Sequence, residues 1–500
     1  MKSAKRVIAI LLSICMTISF AGCSQNTTVA EPAQSEASTG NTNEKTAKEE
    51  HVKLTIMDFS DAVKPQRDAA NAAWTEKTGV EIEYTLTTAN QLSSTILTAV
   101  KSGQCPDIFA LPSGVTAQQA VDEGWFICLE DYVDPSEWER FREDSFANGK
   151  CIVNGKKYFL PENPYGPSSC VFYNKQIFRE AGLDPENPPK TYSEFIDAAK
   201  KITEAGQGRY YGVVEAGAQE NRMDALAVDW ATLIGAAHRR SGYPLNLRTG
   251  TVDWNEEAVY KVFELWKTLY EDGSIHPNSA SYANPDARAA FAQGQAGMCV
   301  NGWWNVGSWA VSNPELEFGI FAPPVPDGEE YTGCIPCTAA TAYLGVYAGS
   351  EHIEEAVDYL MHCYAGEEYQ SSAVAAGTHI SFLKGVNEKY NVMPAAAQFY
   401  QINTDLGRQV PQPEIINSET SKALAYYTDV KPNAYNILAG VISGQITDYK
   451  TALAEYSAAA TEAWMAAIEK ANQDGCNLSV DDFAFPDWDP KKDYENVPVK

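Results

Sequence analysis

Hydrophobic and polar residues alternate near the start of the chain in a way that defines several elements. Residues 52–57 alternate as a half-buried strand does, and residues 80–84 and 108–111 form two further apolar strands. Helical spacing fills the two intervals, and each helical stretch ends at a glycine, Gly79 or Gly103. Strand, helix, strand, helix, strand is the order of a parallel sheet with helical crossovers. The pattern therefore predicts an α/β fold.

A second informative pattern runs from residue 287 to residue 309. An alanine-rich helix precedes a short apolar strand at residues 298–300, which is followed by Gly302, Trp303 and Trp304. In open α/β sheets ligands bind beyond the carboxyl ends of strands, where an aromatic ring can stack on a sugar. We therefore predict that at least one of these tryptophans binds ligand, with core packing as the alternative.

Composition narrows the class of protein. The 500 residues are 44% hydrophobic and 21% charged, which is typical of a globular chain with a large core. The formal charge of −28 argues against nucleic acid and anionic membrane surfaces as partners. The six histidines show no metal-ligand spacing, and no phosphate-binding loop is found. We expect neither a metal nor a cofactor.

The amino terminus reads as an export and anchoring signal. Within residues 1–22, three cationic residues precede an apolar run at 7–20, as in a signal peptide. Small residues directly before Cys23 resemble the bacterial lipobox, which predicts a lipidated Cys23. Residues 23–50 are polar without an apolar period and should form a flexible tether. The sequence thus predicts a globular body anchored outside the cell membrane.

Nine cysteines remain after Cys15 and Cys23 are set aside. An odd number cannot be fully paired within one molecule, and a chain of this size needs no disulfides. We expect most of them to be buried as small hydrophobic residues. Cys334 and Cys337 have the spacing of a redox pair, which is the alternative for those two.

Several short motifs occur in a consistent order along the chain. They are Thr78-Gly79-Val80, Ser102-Gly103, Pro106-Asp107-Ile108-Phe109, Glu123-Gly124-Trp125, Phe172-Tyr173-Asn174-Lys175, the capping box Thr191-Tyr192-Ser193-Glu194, Met298 with Gly302 and Trp304, and Ser443-Gly444-Gln445. Together they resemble the family 1 extracellular solute-binding proteins of ABC importers, over residues 52 to about 470. The resemblance implies a periplasmic-binding-protein-like fold, in which two α/β lobes are joined by a hinge and ligand binds in the interlobe cleft.

The resemblance also implies where the lobes begin and end. The expected ranges are 51–163 and 322–382 for the N-terminal lobe, and 164–321 and 383–500 for the C-terminal lobe. The chain is expected to cross between lobes near residues 161–171, near residues 321–330 and after about residue 382. The tail after residue 476 is longer than the matched part, and we expect it to pack along a lobe surface.

The resemblance indicates candidate ligand contacts on both lobes. Asp61 matches an aspartate that binds sugar hydroxyls in maltodextrin-binding relatives, although a helix N-cap is its alternative role. Those relatives carry a tryptophan and an aspartate where this chain has Leu111 and Gly114. Pro112-Ser113 replaces that pair, so the ligand is expected to bind differently. Trp304 matches the stacking tryptophan of the family and is the leading candidate.

Five further side chains complete the predicted site. Trp303 is beside the leading candidate, and Tyr165 falls in the first hinge segment. Asp229 and Trp230 belong to a helix that often contacts ligand in the family, and Tyr435 is near the start of a later helix. Packing in the core or in a loop is the alternative for Tyr165 and Trp230.

The resulting prediction is an extracellular, lipid-anchored receptor of an ABC importer. It would bind a sugar or oligosaccharide as a monomer and deliver it to membrane permease subunits, without catalytic residues. Two alternatives stay open. An exported carbohydrate-active hydrolase would need two carboxylates roughly 5–10 Å apart across a cleft. A binding protein for another organic solute would share the fold and differ only in the ligand.

Overall fold

The computed structural model describes residues 52–112, 115–142, 145–162, 169–240, 244–337 and 342–496. Three sequence-predicted sites, Cys23, Ser113 and Tyr165, lie outside these ranges.

Strands and helices are numbered here in chain order. The strands are β1 (Lys53–Asp58), β2 (Glu81–Leu86), β3 (Ile108–Ala110), β4 (Ile152–Val153), β5 (Lys156–Lys157), β6 (Leu160–Pro161), β7 (Cys170–Asn174), β8 (Tyr211–Val214), β9 (Ala296–Asn301), β10 (Phe318–Phe321), β11 (Ile335–Cys337), β12 (Ala342–Val346) and β13 (Gly407–Gln409). The helices are α1 (Lys64–Thr78), α2 (Ala89–Ser102), α3 (Ala117–Asp122), α4 (Lys175–Glu180), α5 (Tyr192–Gly206), α6 (Glu220–Leu233), α7 (Glu257–Glu271), α8 (Asn284–Ala292), α9 (Asn305–Ser312), α10 (Ile353–Asp358), α11 (Glu367–Ala375), α12 (Val386–Tyr390), α13 (Pro394–Leu406), α14 (Pro413–Ile416), α15 (Thr420–Tyr426), α16 (Ala434–Ile442) and α17 (Tyr449–Gln473).

The first sheet has the strand order β2-β1-β3-β12-β6, and with its helices we call it the first lobe. β1 is parallel to β2 and β3, as the sequence predicts, and β12 is antiparallel to β3 and β6. Helices α1 and α2 end at Gly79 and Gly103, both with left-handed backbone angles. The three predicted strands and both helix ends are therefore confirmed.

The second sheet has the order β10-β7-β9-β8, and with its helices we call it the second lobe. Successive residues of β7 point to opposite faces. Val171 and Tyr173 join one core with helices α5, α6, α7, α16 and α17, whereas Cys170 and Phe172 join another with α8, α9 and α13. Both faces of this sheet are covered, so its strands are apolar throughout. The predicted capping box at Thr191 is present at the start of α5.

The polypeptide between β10 and β12 stays with the second lobe for longer than the sequence predicts. Val325 N donates to Lys190 O at 3.0 Å, and β11 pairs with β13. The first described residue of the first sheet after this stretch is Ala342. We expected the chain to leave the second lobe near residues 321–330. These contacts place the return later, because the extended proline-rich stretch pairs with the segment ahead of α5. The other predicted lobe limits remain predictions.

The carboxy-terminal tail lies along β13. Tyr494 N donates to Gln409 O at 3.0 Å, and Gln409 N donates to Asp493 Oδ1 at 2.7 Å. Trp488 is buried in a small cluster with Val410 and its neighbours. The tail is therefore hydrogen-bonded to the outer side of the β11–β13 pair.

A buried ion pair lies at the carboxyl end of β1. The Arg67 Nη1 atom is 3.6 Å from Asp58 Oδ2, and Arg67 Nη2 donates to the Tyr369 hydroxyl at 3.1 Å. The ring centroid of Tyr364 is 4.5 Å from the guanidinium carbon, and the Tyr343 hydroxyl donates to Asp58. Both charges are almost fully buried. Asp58 Oδ1 also accepts from Ser60 N at 2.8 Å, so each charge is satisfied by the other, by the surrounding tyrosines and, for Asp58, by a backbone amide.

Replacing this arginine should destabilise the first lobe. We expect Arg67→Ala to lower the free energy of unfolding by roughly 3–5 kcal/mol, because it leaves the Asp58 carboxylate buried without its counter-ion. Urea unfolding measures the change. Lys64→Ala on the same helix is the matched control, because the Lys64–Asp68 pair is exposed. Equal unfolding midpoints for the two variants would contradict the assigned role of the buried pair.

Candidate functional site

Strand β9 ends at Asn301, and helix α9 begins only four residues later. Trp304 is the N-cap residue of α9, and both Trp303 and Trp304 are half-buried. Their ring centroids are 6.5 Å apart and the planes meet at 73°. The two rings therefore face different directions at the end of a strand. The predicted strand exit is confirmed, and the ligand contact of either ring stays a prediction.

Gly302 permits the position of the Trp304 ring. A Cβ atom on Gly302 would lie 2.2 Å from both Cη2 and Cζ3 of Trp304. The ring thus folds back against the backbone of the turn that carries it. A side chain at position 302 would displace the ring, so the Gly-x-Trp spacing in the sequence has a steric basis.

Two buried side chains, a carboxyl and a guanidinium, hold the strand just before this turn. Glu215 Oε1 accepts a hydrogen bond from Val300 N at 2.9 Å, and Arg222 Nη2 donates to Val300 O at 3.3 Å. The Arg222 guanidinium carbon is 5.7 Å from the ring centroid of Trp304. Arg222 therefore connects the strand backbone to the aromatic ring.

Burial shifts the pKa of both groups. It raises the pKa of Glu215 to about 8, although the Val300 amide and Arg222 both act in the opposite direction. Burial also lowers the pKa of Arg222, against the attraction of Glu215. At neutral pH most of the Glu215 carboxyl is consequently protonated in the folded protein.

The structure places Asp229 and Trp230 at the exit of the first lobe crossing. Ser169 is the first described residue after that crossing; its hydroxyl donates to Asp229 Oδ2 at 2.5 Å, and its carbonyl accepts from Trp230 Nε1 at 3.1 Å. Arg240 Nε is 3.4 Å from Asp229 Oδ1. Burial raises the pKa of Asp229 to about 6. Asp229 and Trp230, both predicted to contact ligand, are thus both hydrogen-bonded to the end of the crossing.

The other end of the same crossing is held by a side chain of the first lobe. The Tyr364 hydroxyl donates to Pro161 O at 2.6 Å. Glu162 follows, and burial, together with the nearby Asp58 carboxylate, raises its pKa to about 7. The described residues on either side of the first crossing are therefore each held in a buried polar cluster.

Two predicted ligand contacts are corrected by their burial. Trp230 is 1% exposed and packs against Phe195 and Trp266, so packing, the alternative left open by the sequence, is what the structure shows. Tyr435 is 3% exposed and its ring lies edge-on to Trp254, at 5.8 Å between centroids. Neither ring offers a face to a ligand. In α6 and α16 almost every position is buried, so spacing could not reveal a free face.

Asp61 lies on the first lobe and is exposed. It is the first residue of a short 3₁₀ turn, and Ser60 occupies the N-cap position, so the N-cap alternative is wrong. Burial lowers the pKa of Arg288 in α8 of the second lobe, and the charge of Asp61 acts in the opposite direction. Asp61 thus stands within electrostatic range of the opposite lobe, although it is not shown to meet Trp304.

Glu215 and Arg222 are the residues of the site that sequence reasoning missed. The sequence does show a charged residue at the end of an apolar strand and another within a largely apolar helix. Many charged residues in such positions face solvent, so this pattern alone does not indicate a buried pair. Only the tertiary structure shows that both converge on Val300.

The nine cysteines of the described chain are free thiols, and eight of them are buried. Burial raises the pKa of Cys334 to about 12 and raises that of Cys337 further. These thiols are therefore poorly reactive, and the redox alternative for this pair is not supported.

Comparison with known proteins now identifies the family. A sequence profile of the bacterial extracellular solute-binding proteins matches residues 61–371, more than half of the chain. The chain belongs to this family. The members of the family are binding proteins, and its description gives an extracellular location.

Two curated relatives illustrate the range of this solute-binding protein family. The diacetylchitobiose binding protein DasA of Streptomyces coelicolor is 23% identical over 391 residues, which are 75% of this chain and 84% of DasA. The sn-glycerol-3-phosphate-binding periplasmic protein UgpB of Agrobacterium fabrum is 57% identical over 201 residues, which are 38% of this chain and 41% of UgpB.

Solved structures confirm the fold of this solute-binding protein. An ABC transporter solute-binding protein of Thermotoga lettingae, bound with α-D-tagatose, matches with a TM-score of 0.61 at 19% identity, covering 83% of this chain and 100% of that one. The fold is thus the predicted pair of α/β lobes with a hinge and an interlobe cleft. In the part of the chain that the structure describes, helices with the length and apolarity of a membrane span are absent.

The buried carboxyl of Glu215 predicts a pH dependence. Its pKa is about 8 in the folded protein and near 4.5 when unfolded, so folding takes up a proton between those values. The contribution of Glu215 to stability is therefore present below pH 4.5 and is lost as pH rises through 8. Glu215→Gln cannot ionise. We expect its stability relative to the parent to rise by about 2–4 kcal/mol between pH 5 and pH 8.

Urea unfolding at several pH values checks this expectation. Glu76→Gln, on the exposed surface of α1, is the matched control and should show no comparable trend. A stability difference between Glu215→Gln and the parent that stays constant from pH 5 to pH 8 would contradict the assignment.

Proposed function

We propose that this solute-binding protein binds a sugar or oligosaccharide in its interlobe cleft and delivers it to the permease subunits of an ABC importer. The observation that carries the proposal is the half-buried ring of Trp304 at the carboxyl end of β9. Strand ends are where α/β folds bind ligands. Trp230 and Tyr435, the other aromatic candidates on second-lobe helices, are buried in the core.

The chemistry of this ring suits a sugar. A pyranose has an apolar face of C–H bonds and a rim of hydroxyl groups, so it stacks on an aromatic ring while polar side chains bind its rim. Gly302 and Arg222 hold the Trp304 ring in place before ligand arrives, which reduces the entropy lost on binding. The names of DasA and the tagatose complex support the same class of ligand.

The remaining contacts are assigned around this platform. Trp303 faces a different direction and would line a neighbouring subsite. Asp61 would approach from the first lobe and accept hydrogen bonds from hydroxyl groups. Ser113 and Tyr165 complete the proposed site from the sequence alone. Asp229 would act indirectly, by holding Ser169 at the exit of the first crossing.

Export and anchoring form the cellular part of the proposal. The signal peptide would be removed before Cys23, and a lipid on Cys23 would hold the protein on the outer face of the cell membrane through a tether of residues 23–50. The protein would act there as a monomer that captures ligand and presents it to the permease.

Two alternatives differ in what the site does. UgpB is named for sn-glycerol-3-phosphate, which keeps a non-sugar organic solute open as the ligand. A hydrolase would need two accessible carboxylates, whereas Glu215 and Asp229, the carboxylates described around the strand end, are buried and hydrogen-bonded. The geometry favours binding.

Calorimetric titration of the mature protein tests the proposal. The probes are diacetylchitobiose, maltotriose, D-tagatose and sn-glycerol-3-phosphate. We expect saccharide binding, and we expect Trp304→Ala to weaken it by roughly 1–3 kcal/mol because stacking area is lost. Trp138→Ala is the matched control, because Trp138 is also half-buried but packs on Phe141 and Phe146 in the first lobe.

Three outcomes would count against parts of the proposal. Binding of sn-glycerol-3-phosphate alone would replace the sugar by the phosphorylated solute. A folded Trp304→Ala variant with unchanged saccharide affinity would remove Trp304 from the site. Release of cleaved saccharide during the titration would favour the hydrolase.

A further inference from the structure

Helix α9, which begins directly after Trp304, contacts the first lobe through its backbone. Gly307 N donates to Gly377 O at 3.1 Å. Gly377 follows α11, a first-lobe helix whose Tyr369 contacts Arg67. The contact therefore joins the two lobes three residues away from the proposed stacking ring.

The two glycines make this close approach possible. A Cβ atom on Gly307 would lie 2.3 Å from Thr378 Cγ2 and 2.6 Å from Ala376 O. A Cβ atom on Gly377 would lie 2.7 Å from the Met393 sulfur, and Gly377 has a left-handed φ of 66°. A Cβ atom at either position would therefore lie closer than van der Waals contact to a neighbouring atom. For Gly307 one of these neighbours, Ala376 O, is a backbone atom.

The hydrogen bond also completes the first turn of α9. The N–H groups in the first turn of a helix have no partner within the helix. Asn305 N and Val306 N donate to Gly302 O and Trp303 O, which belong to the same turn. Gly307 N takes its acceptor from the other lobe instead. The start of α9 is thus held partly by the second lobe and partly by the first.

From this contact we propose that Gly307 and Gly377 are positioning residues for ligand binding. They fix the turn that carries Trp304 relative to the first lobe, so that stacking of a saccharide and the relative arrangement of the lobes are coupled. The proposal rests on the proposed role of Trp304. It adds that affinity depends on two residues that do not touch the ligand.

Gly307→Ala tests the coupling in the mature protein. Its methyl group would meet Thr378 Cγ2 at 2.3 Å and Ala376 O at 2.6 Å, so the contact must open. We expect binding of whichever of diacetylchitobiose, maltotriose or D-tagatose the parent binds to weaken roughly tenfold or more. Hydrogen exchange should become faster in peptides covering residues 303–312, without ligand. Val311→Ala, on the exposed side of α9, is the matched control and should behave as the parent.

A rescue variant separates coupling from simple damage to α9. Thr378→Ser removes the nearest obstructing atom, Cγ2, and keeps the hydroxyl that donates to Ala373 O. Adding Thr378→Ser to Gly307→Ala should recover part of the lost affinity, whereas a helix defect would not respond. Gly377→Ala examines the same contact from the first lobe if Gly307→Ala does not fold.

The outcomes distinguish this inference from the proposed function. If the parent binds none of the three saccharides, the proposed function fails and the inference fails with it. If the parent binds and folded Gly307→Ala or Gly377→Ala binds equally well, the proposed function stands and the coupling is overturned. Weakened binding with unchanged hydrogen exchange in peptides covering residues 303–312 would also overturn it.

Discussion

The strand end of the second lobe depends on how Val300 is held. Its N–H is bonded to Glu215 and its carbonyl to Arg222, two side chains that are themselves almost fully buried. Removing either would leave a buried polar group without its partner, which is costly in a low-dielectric interior. The turn at Gly302 and the Trp304 ring follow directly from this anchored strand. The proposed position of the Trp304 ring therefore depends on the hydrogen bonds that Glu215 and Arg222 make to the backbone of Val300.

The same region links the two lobes. α9 starts at the tryptophan turn and reaches Gly377 of the first lobe, while Ser169, at the exit of the first crossing, is bonded to Asp229 and Trp230. Side chains that could have touched ligand are used to hold a crossing instead. Their burial attaches the end of this crossing firmly to the second lobe, which a hinge between lobes requires. A ligand could shift the arrangement of the lobes only by the difference in its affinity for the two arrangements.

Much of the fold could be predicted because local patterns coincide with it. The first three strands, the helix ends at Gly79 and Gly103 and the strand before Trp303 all carry their signals within a few residues. Trp230 and Tyr435 could not be separated from Trp304 in that way. Each is an aromatic residue next to polar ones, and only packing of distant helices decides which ring is covered. The return to the first sheet was placed too early for a similar reason, because an extended proline-rich segment can leave a lobe or pair along it.

We propose above all that a saccharide lies against Trp304 between the lobes. A crystal structure of the mature protein with diacetylchitobiose, or with whichever probe saccharide binds, tests it most directly. We expect one sugar ring stacked on Trp304, with the Gly307–Gly377 hydrogen bond present. A saccharide bound elsewhere, with the Trp304 ring covered by protein or left in solvent, would contradict it.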